Sequence, residues 1–207
     1  MNIDKAIRKQ KKSYKRFLLA MSFIFFVLPI ALFFSKKLSL FYISYLVIIE
    51  VLIFIAVIIR IDKETLRFAC AESKLKISLG IRRKAININC EKVALVHVEE
   101  ILSDEEDISE FKIILLATSR FRSERMIAVN LNFLKNHSYI AYQYNRLKIL
   151  YPEESYYYTI IKRGKLNKYP LLDAIYKNCV YSHFTEECIE KIKFYRENSQ
   201  YYRSKQF

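Results

Sequence analysis

The chain has 207 residues and a formal net charge of +14, with four cysteines, two glycines and no tryptophan. So few glycines argue against a loop that cradles nucleotide phosphates, and neither an HExxH metal motif nor a nucleophile elbow occurs. The wealth of Lys, Ile, Asn, Tyr and Phe matches an AT-rich genome, so part of the charge reflects codon bias.

Residues 1–16 form a basic arm in which Lys5, Arg8, Lys9, Lys11, Lys12, Lys15 and Arg16 face one acid, Asp4. Two apolar runs follow, residues 17–34 and 38–59, separated by Ser35-Lys36-Lys37. At about 1.5 Å per residue they reach roughly 27 and 33 Å, against a hydrocarbon thickness of about 30 Å. A cleaved signal peptide would have a shorter apolar core and a small-x-small site, whereas Phe33-Phe34-Ser35-Lys36-Lys37 follows the first run. The expectation is a transmembrane hairpin in the cell membrane with both termini cytoplasmic, as the positive-inside bias requires. The net charge is +8 in residues 1–37, zero in 38–134 and +6 in 135–207. The seven cations of the arm are expected to contact anionic lipid. Nucleic acid is the rival for such charge, and a basic flank beside a first span already has a topological explanation.

Glu50 lies near the middle of the second run, where an ionisable residue costs about 3 kcal/mol on insertion scales. In an antiparallel hairpin it sits level with about position 22, so a protonated Glu50 bonded to Ser22, or to a partner subunit, is expected. A proton or ion pathway is the rival, disfavoured by two spans and one carboxylate. Pro29 is expected to kink the first span and free the Phe25 carbonyl.

Alternation typical of half-buried strands begins near Thr65. Leu66, Phe68 and Cys70 form one set, Leu75, Ile77 and Leu79 the next, and Ile86, Ile88 and Cys90 a third. Residues 93–98 and 111–118 are denser, as in central strands, and 126–129 is a short last strand. Six strands in so short a span predict an antiparallel meander closing into a small barrel or sandwich.

Helical periodicity takes over at Asn130, a capping residue, with Phe133, His137, Ile140, Tyr144 and Leu147 on one face. Pro152-Glu153-Glu154 and Lys162-Arg163-Gly164 resemble the start and stop of another helix. Segments 170–181 and 186–198 read as two more, the last capped by Thr185, so residues 151–207 are expected to form a helical bundle. Its tyrosines, among them Tyr156, Tyr157, Tyr158, Tyr176, Tyr181 and Tyr195, read as packing residues, not a base-stacking platform.

A hairpin followed by Leu75-Lys76-Ile77-Ser78-Leu79-Gly80, Ala85-Ile86-Asn87-Ile88 and Val93-Ala94-Leu95-Val96 resembles the bacterial pleckstrin-homology-like membrane family over roughly residues 15–150. The resemblance implies a curved sheet closed by a helix, for which residues 130–150 are the candidate, and a binding or assembly module instead of a catalyst. The expected architecture is thus an α+β membrane protein. It comprises the arm (1–16), the hairpin (17–59), a PH-like antiparallel β domain with its closing helix (60–150) and a helical C-terminal segment (151–207).

Among candidate sites, Asp104-Glu105-Glu106-Asp107, with Glu99, Glu100 and Glu110 beside it, lacks the ligand spacing and turn glycine of a calcium loop and reads as a solvated hairpin. Arg120, Arg122 and Arg125 are candidates for bidentate contacts to lipid phosphate or an acidic partner, with plain surface solubility as the alternative. Cys70, Cys90, Cys179 and Cys188 have no paired CxxC spacing, and cytoplasmic thiols stay reduced, so disulfides are not expected. Cys179, His183 and Cys188 offer three metal ligands where structural zinc takes four, and buried packing is the preferred reading. His97 and His137 lack a nucleophile at recognisable spacing. No metal, cofactor or catalytic residue is assigned. The expected role is a membrane-anchored, non-enzymatic scaffold for a protein partner or a second copy; an accessory subunit of a transport or secretion complex is the alternative, assembled through the hairpin.

Overall fold

The computed structural model describes residues 2–35, 39–71, 73–81, 85–101, 110–120 and 125–199. Helices α1 (Ile3–Phe34) and α2 (Leu40–Glu64) are long and apolar enough to cross a membrane, and their most apolar stretches are unburied. They pack together as a hairpin whose Lys36-Lys37 turn lies outside the described residues. Helix α1 continues through Pro29.

The basic arm proves to be the first turns of α1, capped by the Asn2 side chain, which accepts from Lys5 N–H at 3.1 Å. Ile3 and Ile7, one helical turn apart, are buried in the core of the folded domain. The seven cations of the arm are all exposed on the remaining surface of the helix.

The six strands expected between residues 65 and 129 all form: β1 (Leu66–Ala71), β2 (Lys74–Leu79), β3 (Ala85–Asn89), β4 (Val93–Ile101), β5 (Glu110–Ala117) and β6 (Ile127–Ala128). Leu75, Ile77, Leu79, Ile86 and Ile88 point inward as their alternation requires, whereas Cys70, at the end of β1, is exposed. The strands do not form one meander. Strands β1, β2 and β3 make a three-stranded antiparallel sheet, and β4 and β5 belong to a second, five-stranded sheet.

Residues 152–163 are not a helix. Tyr157–Ile161 form β7, which enters the second sheet between β5 and β6. The reason is local: Tyr157-Tyr158-Thr159-Ile160-Ile161 is an unbroken run of β-formers, and Pro152-Glu153-Glu154 lies in the turn before it. Lys148 Nζ ties that turn down through the Pro152 and Glu154 carbonyls at 3.0 and 2.6 Å. Strand β8 (His183–Phe184) completes the sheet by pairing in parallel with β4, giving the order β6-β7-β5-β4-β8. The residues after 150 thus share a sheet and a core with those before it, instead of forming a separate bundle.

The expected helix at 130–150 is two helices, α3 (Leu131–Asn136) and α4 (Ser138–Leu150), broken where His137 adopts φ −136°, ψ 73°. Asn130 caps α3 through Phe133 N–H at 2.8 Å. Phe133 and Ile140 cover one face of the second sheet at Leu95, Ile114 and Leu116. The opposite face, with Val96, Val98, Ile113 and Leu115, shares a core with the first sheet, with α5 (Lys168–Asn178), with α6 (Glu186–Asn198) and with Ile3 and Ile7. Burial on both faces explains why β4 and β5 read as dense apolar runs.

Candidate functional site

Both glycines of the chain lie where α2 hands over to the folded domain, and both have positive φ. Gly80, at φ +67°, donates its N–H to Thr65 O at 3.0 Å, and a Cβ there would fall 2.3 Å from Asp62 Oδ1. Gly164, at φ +104°, donates to Lys63 O at 3.0 Å and lies against Leu66. Close backbone approach is what these positions demand, and only glycine supplies it without strain.

A polar collar continues round both helices. Gln10 Nε2 donates to Glu64 Oε2 at 2.9 Å while its Oε1 accepts from Leu166 N–H at 3.2 Å. Arg60 pairs with Glu64 at 2.9 Å and lies over the Phe17 ring, 5.7 Å from its centre. Ser199 Oγ donates to Asp4 at 2.8 Å.

Beside the collar, Leu79, Arg125, Ile127, Tyr158, Thr159, Ile160, Lys162 and Arg163 line a cleft of about 470 Å³. Arg163 pairs with Asp62 at 2.6 Å, and Arg125 donates to the Leu79 carbonyl at 3.3 Å. Burial, then the nearby Arg163 guanidinium, lowers the Arg125 pKa, with Asp62 opposing. Arg125, Arg163 and Asp62 are thus close enough to act on one another electrostatically.

Of the three arginines singled out in the sequence, only Arg125 is placed in this cleft. Arg120 is exposed elsewhere, and Arg122 lies outside the described residues, as does the acidic stretch 104–107. Lys162 and Arg163 were missed because they read as a helix stop; the β-forming run just before them was the available signal. Glu50 is half-buried and Ser22 exposed, and among the described residues no hydrogen bond joins them.

A second polar cluster gathers His97 and Glu99 of β4, Lys112 of β5, His137 and Tyr139 at the α3–α4 break, and Thr185 and Glu187 at the start of α6. Glu99 accepts from Lys112 and from His137 Nδ1, each at 2.5 Å. His97 stacks on Tyr139, and its Nδ1 lies 3.0 Å from Thr185 Oγ1. Thr185 occupies the expected N-cap position, but its hydroxyl engages His97 instead of the helix.

Burial lowers the His97 pKa despite the nearby Glu187 and Glu99. Burial alone would raise that of Glu99, but Lys112 and His137 overcome it, and the net shift is downward. The unfolded chain therefore takes up protons first at both residues, so their stabilisation is lost on acidification: below about pH 6.5 for His97, and below the ordinary Glu range for Glu99. Amide exchange in the first turn of α6, corrected for its intrinsic pH dependence, is expected to accelerate from pH 7 to 5. The non-titrating His97→Gln variant is expected to lose most of that acceleration; an unchanged response would remove His97 as its source.

Cys90, Cys179 and Cys188 are buried, and desolvation holds their thiols above the ordinary range, Cys188 at about 12. Such thiols are poor nucleophiles. His183 is exposed on β8.

No family model, curated protein or solved structure matches the chain.

Proposed function

We infer that this chain is a membrane-anchored, non-enzymatic binding protein whose hairpin crosses the bilayer and whose PH-like domain meets a protein partner on the cytoplasmic side. The observation that carries this reading is the outer face of α4, where Tyr142, Ile149 and Leu150, with Tyr151 just beyond, are 57–80% exposed. Ile149, Leu150 and Tyr151, adjacent at the end of α4 and separated from Tyr142 by the exposed Asn145 and Arg146, leave large apolar side chains open to a partner. The distance of this face from the hairpin is held by the collar, so a partner would find it at a defined height above the membrane. Confinement to the membrane plane raises the effective concentration of the face for any partner also anchored there.

The PH-like assignment is supported by two sheets around one core, antiparallel except where β8 joins β4, and by helices following β6, the place of a closing helix. The second reading, an accessory subunit assembled through the hairpin, is favoured by Glu50, a half-buried carboxylate within the apolar part of α2.

Photocrosslinkers placed at Tyr142 and Ile149, and separately at Ser22 and Val47, distinguish the two in native membranes. Adducts to one defined protein from the α4 positions, lost in a Leu150→Glu background, are expected. Adducts from the hairpin positions alone would replace the tether with the subunit reading.

A further inference from the structure

The cleft lies at a particular depth. Asp62, which holds Arg163, comes three residues after Ile59, the end of the apolar run, and therefore about 4.5 Å farther along the helix axis. If the hydrocarbon is about 30 Å thick and the bilayer with its headgroups about 40–45 Å, each headgroup layer occupies roughly 5–7 Å. Arg163 thus falls at headgroup level. Exposed aliphatic side chains occur at the same place: Ile81, whose N–H donates to Asp62 Oδ1 at 3.4 Å, is 43% exposed, and Ile127 on the cleft wall is 49% exposed.

The lining is amphiphilic in a corresponding way. Arg125, Lys162 and Arg163 supply three cations, while Leu79, Ile127, Tyr158 and Ile160 supply an apolar wall. A small inorganic anion would use only the first set. An acidic peptide would use the charges but has no reason to be found at headgroup depth. A phospholipid uses both, because its phosphate meets guanidinium and ammonium groups while its glycerol and upper chain meet aliphatic surface.

We propose that this cleft binds the phosphate headgroup of an anionic phospholipid of the surrounding membrane. The site is distinct from the exposed lysines of α1, whose attraction for anionic lipid is diffuse. Bound lipid would bridge β7, the residues just before β6 and the α2–β1 junction, adding a lipid contact to the collar. The inference rests on the reading of α1 and α2 as membrane-spanning, and it adds a ligand that the proposed scaffold role does not require.

The test uses the full chain in nanodiscs of phosphatidylcholine, alone and with phosphatidylglycerol, followed by gentle detergent extraction and native mass spectrometry. Incorporation into the phosphatidylcholine discs tests the hairpin by itself, so a failure there is separate from a failure of the lipid site. The expected result is one retained phosphatidylglycerol per chain, with retention lowered roughly fivefold for each cation removed in Arg125→Gln and Lys162→Gln. Lys162 is exposed, so its variant serves even if Arg125→Gln fails to fold. Lys11→Gln with Lys12→Gln reports instead on the diffuse attraction of α1 for anionic lipid, and Lys135→Gln, exposed on α3 and outside the cleft lining, is expected to leave retention unchanged. Equal retention in the cleft variants, loss only in the α1 variant, or displacement of the lipid by millimolar inorganic phosphate or by an oligoglutamate peptide would each overturn the proposal.

Discussion

Alanine at Gly164 is expected to destabilise the folded domain by about 2–5 kcal/mol. The backbone there has φ +104°, which costs an L-residue about 1–2 kcal/mol. The new Cβ would also lie 2.5 Å from Leu66 Cδ2 and 2.6 Å from Leu66 Cβ. Overpacking of this kind costs about 1–3 kcal/mol, and Leu66 Cβ cannot swing away because it is fixed to the backbone of β1. Relief must therefore come from moving β1, which begins directly after the α2 junction.

Gly80→Ala is the informative comparison. Its nearest atoms, Asp62 Oδ1 at 2.3 Å and Arg163 Nη1 at 2.4 Å, end side chains that can move, so the ion pair opens while the strand stays. Denaturant unfolding in detergent, with proteolysis at the α2–β1 junction, is expected to rank Gly164→Ala well below Gly80→Ala. Equal stability of the two variants would show that the Leu66 contact does not constrain the junction.

Lys168 carries the second large effect. It is 1% exposed, its ammonium donates to the Phe111 carbonyl and, at 3.3 Å, to the Lys162 carbonyl, and it lies over the Phe111 ring. Burial lowers its pKa from the ordinary 10.5 to about 8, with Glu110 opposing. Between these values the unfolded chain holds a proton that the folded chain has released, so this group's contribution to stability rises with pH.

Wild type is expected to gain about 2 kcal/mol relative to Lys168→Met between pH 7.5 and 10. The comparison must be relative because the buried thiols act in the opposite sense. Cys179 and Cys188 stay protonated in the fold while the unfolded chain loses their protons above the ordinary thiol range, which costs both proteins stability equally. Chemical unfolding of the two proteins at several pH values checks this; a gap that does not change with pH would mean Lys168 titrates normally.

Much of the fold was legible because its signals are local. Solid apolar runs gave the two long helices, alternation gave β1 to β3, shorter dense runs gave β4 and β5, and Asn130 marked the start of α3. Residues 186–198 had the period that α6 adopts. The errors arose where two local signals competed. Pro152-Glu153-Glu154 and Lys162-Arg163-Gly164 carry helix-boundary chemistry, but the five residues 157–161 prefer a strand and had an unpaired position between β5 and β6 to fill. Likewise the arm of α1 read as charge alone, although Ile3 and Ile7 already had the spacing of a buried stripe.

The amino-acid sequence by itself determined the two apolar helices, the strand periods and the concentration of charge ahead of the first run, since each depends on residues near one another in the chain. Only the tertiary structure decided which cations meet. Arg125 and the pair Lys162-Arg163 are more than thirty residues apart, and β6–β7 pairing, the Gly80 turn and the end of α2 place them round one cleft. The two glycines show the same division. Their scarcity is plain in the composition, but their shared purpose, letting α2 enter the domain without a clash, exists only once Asp62 and Leu66 are folded against them.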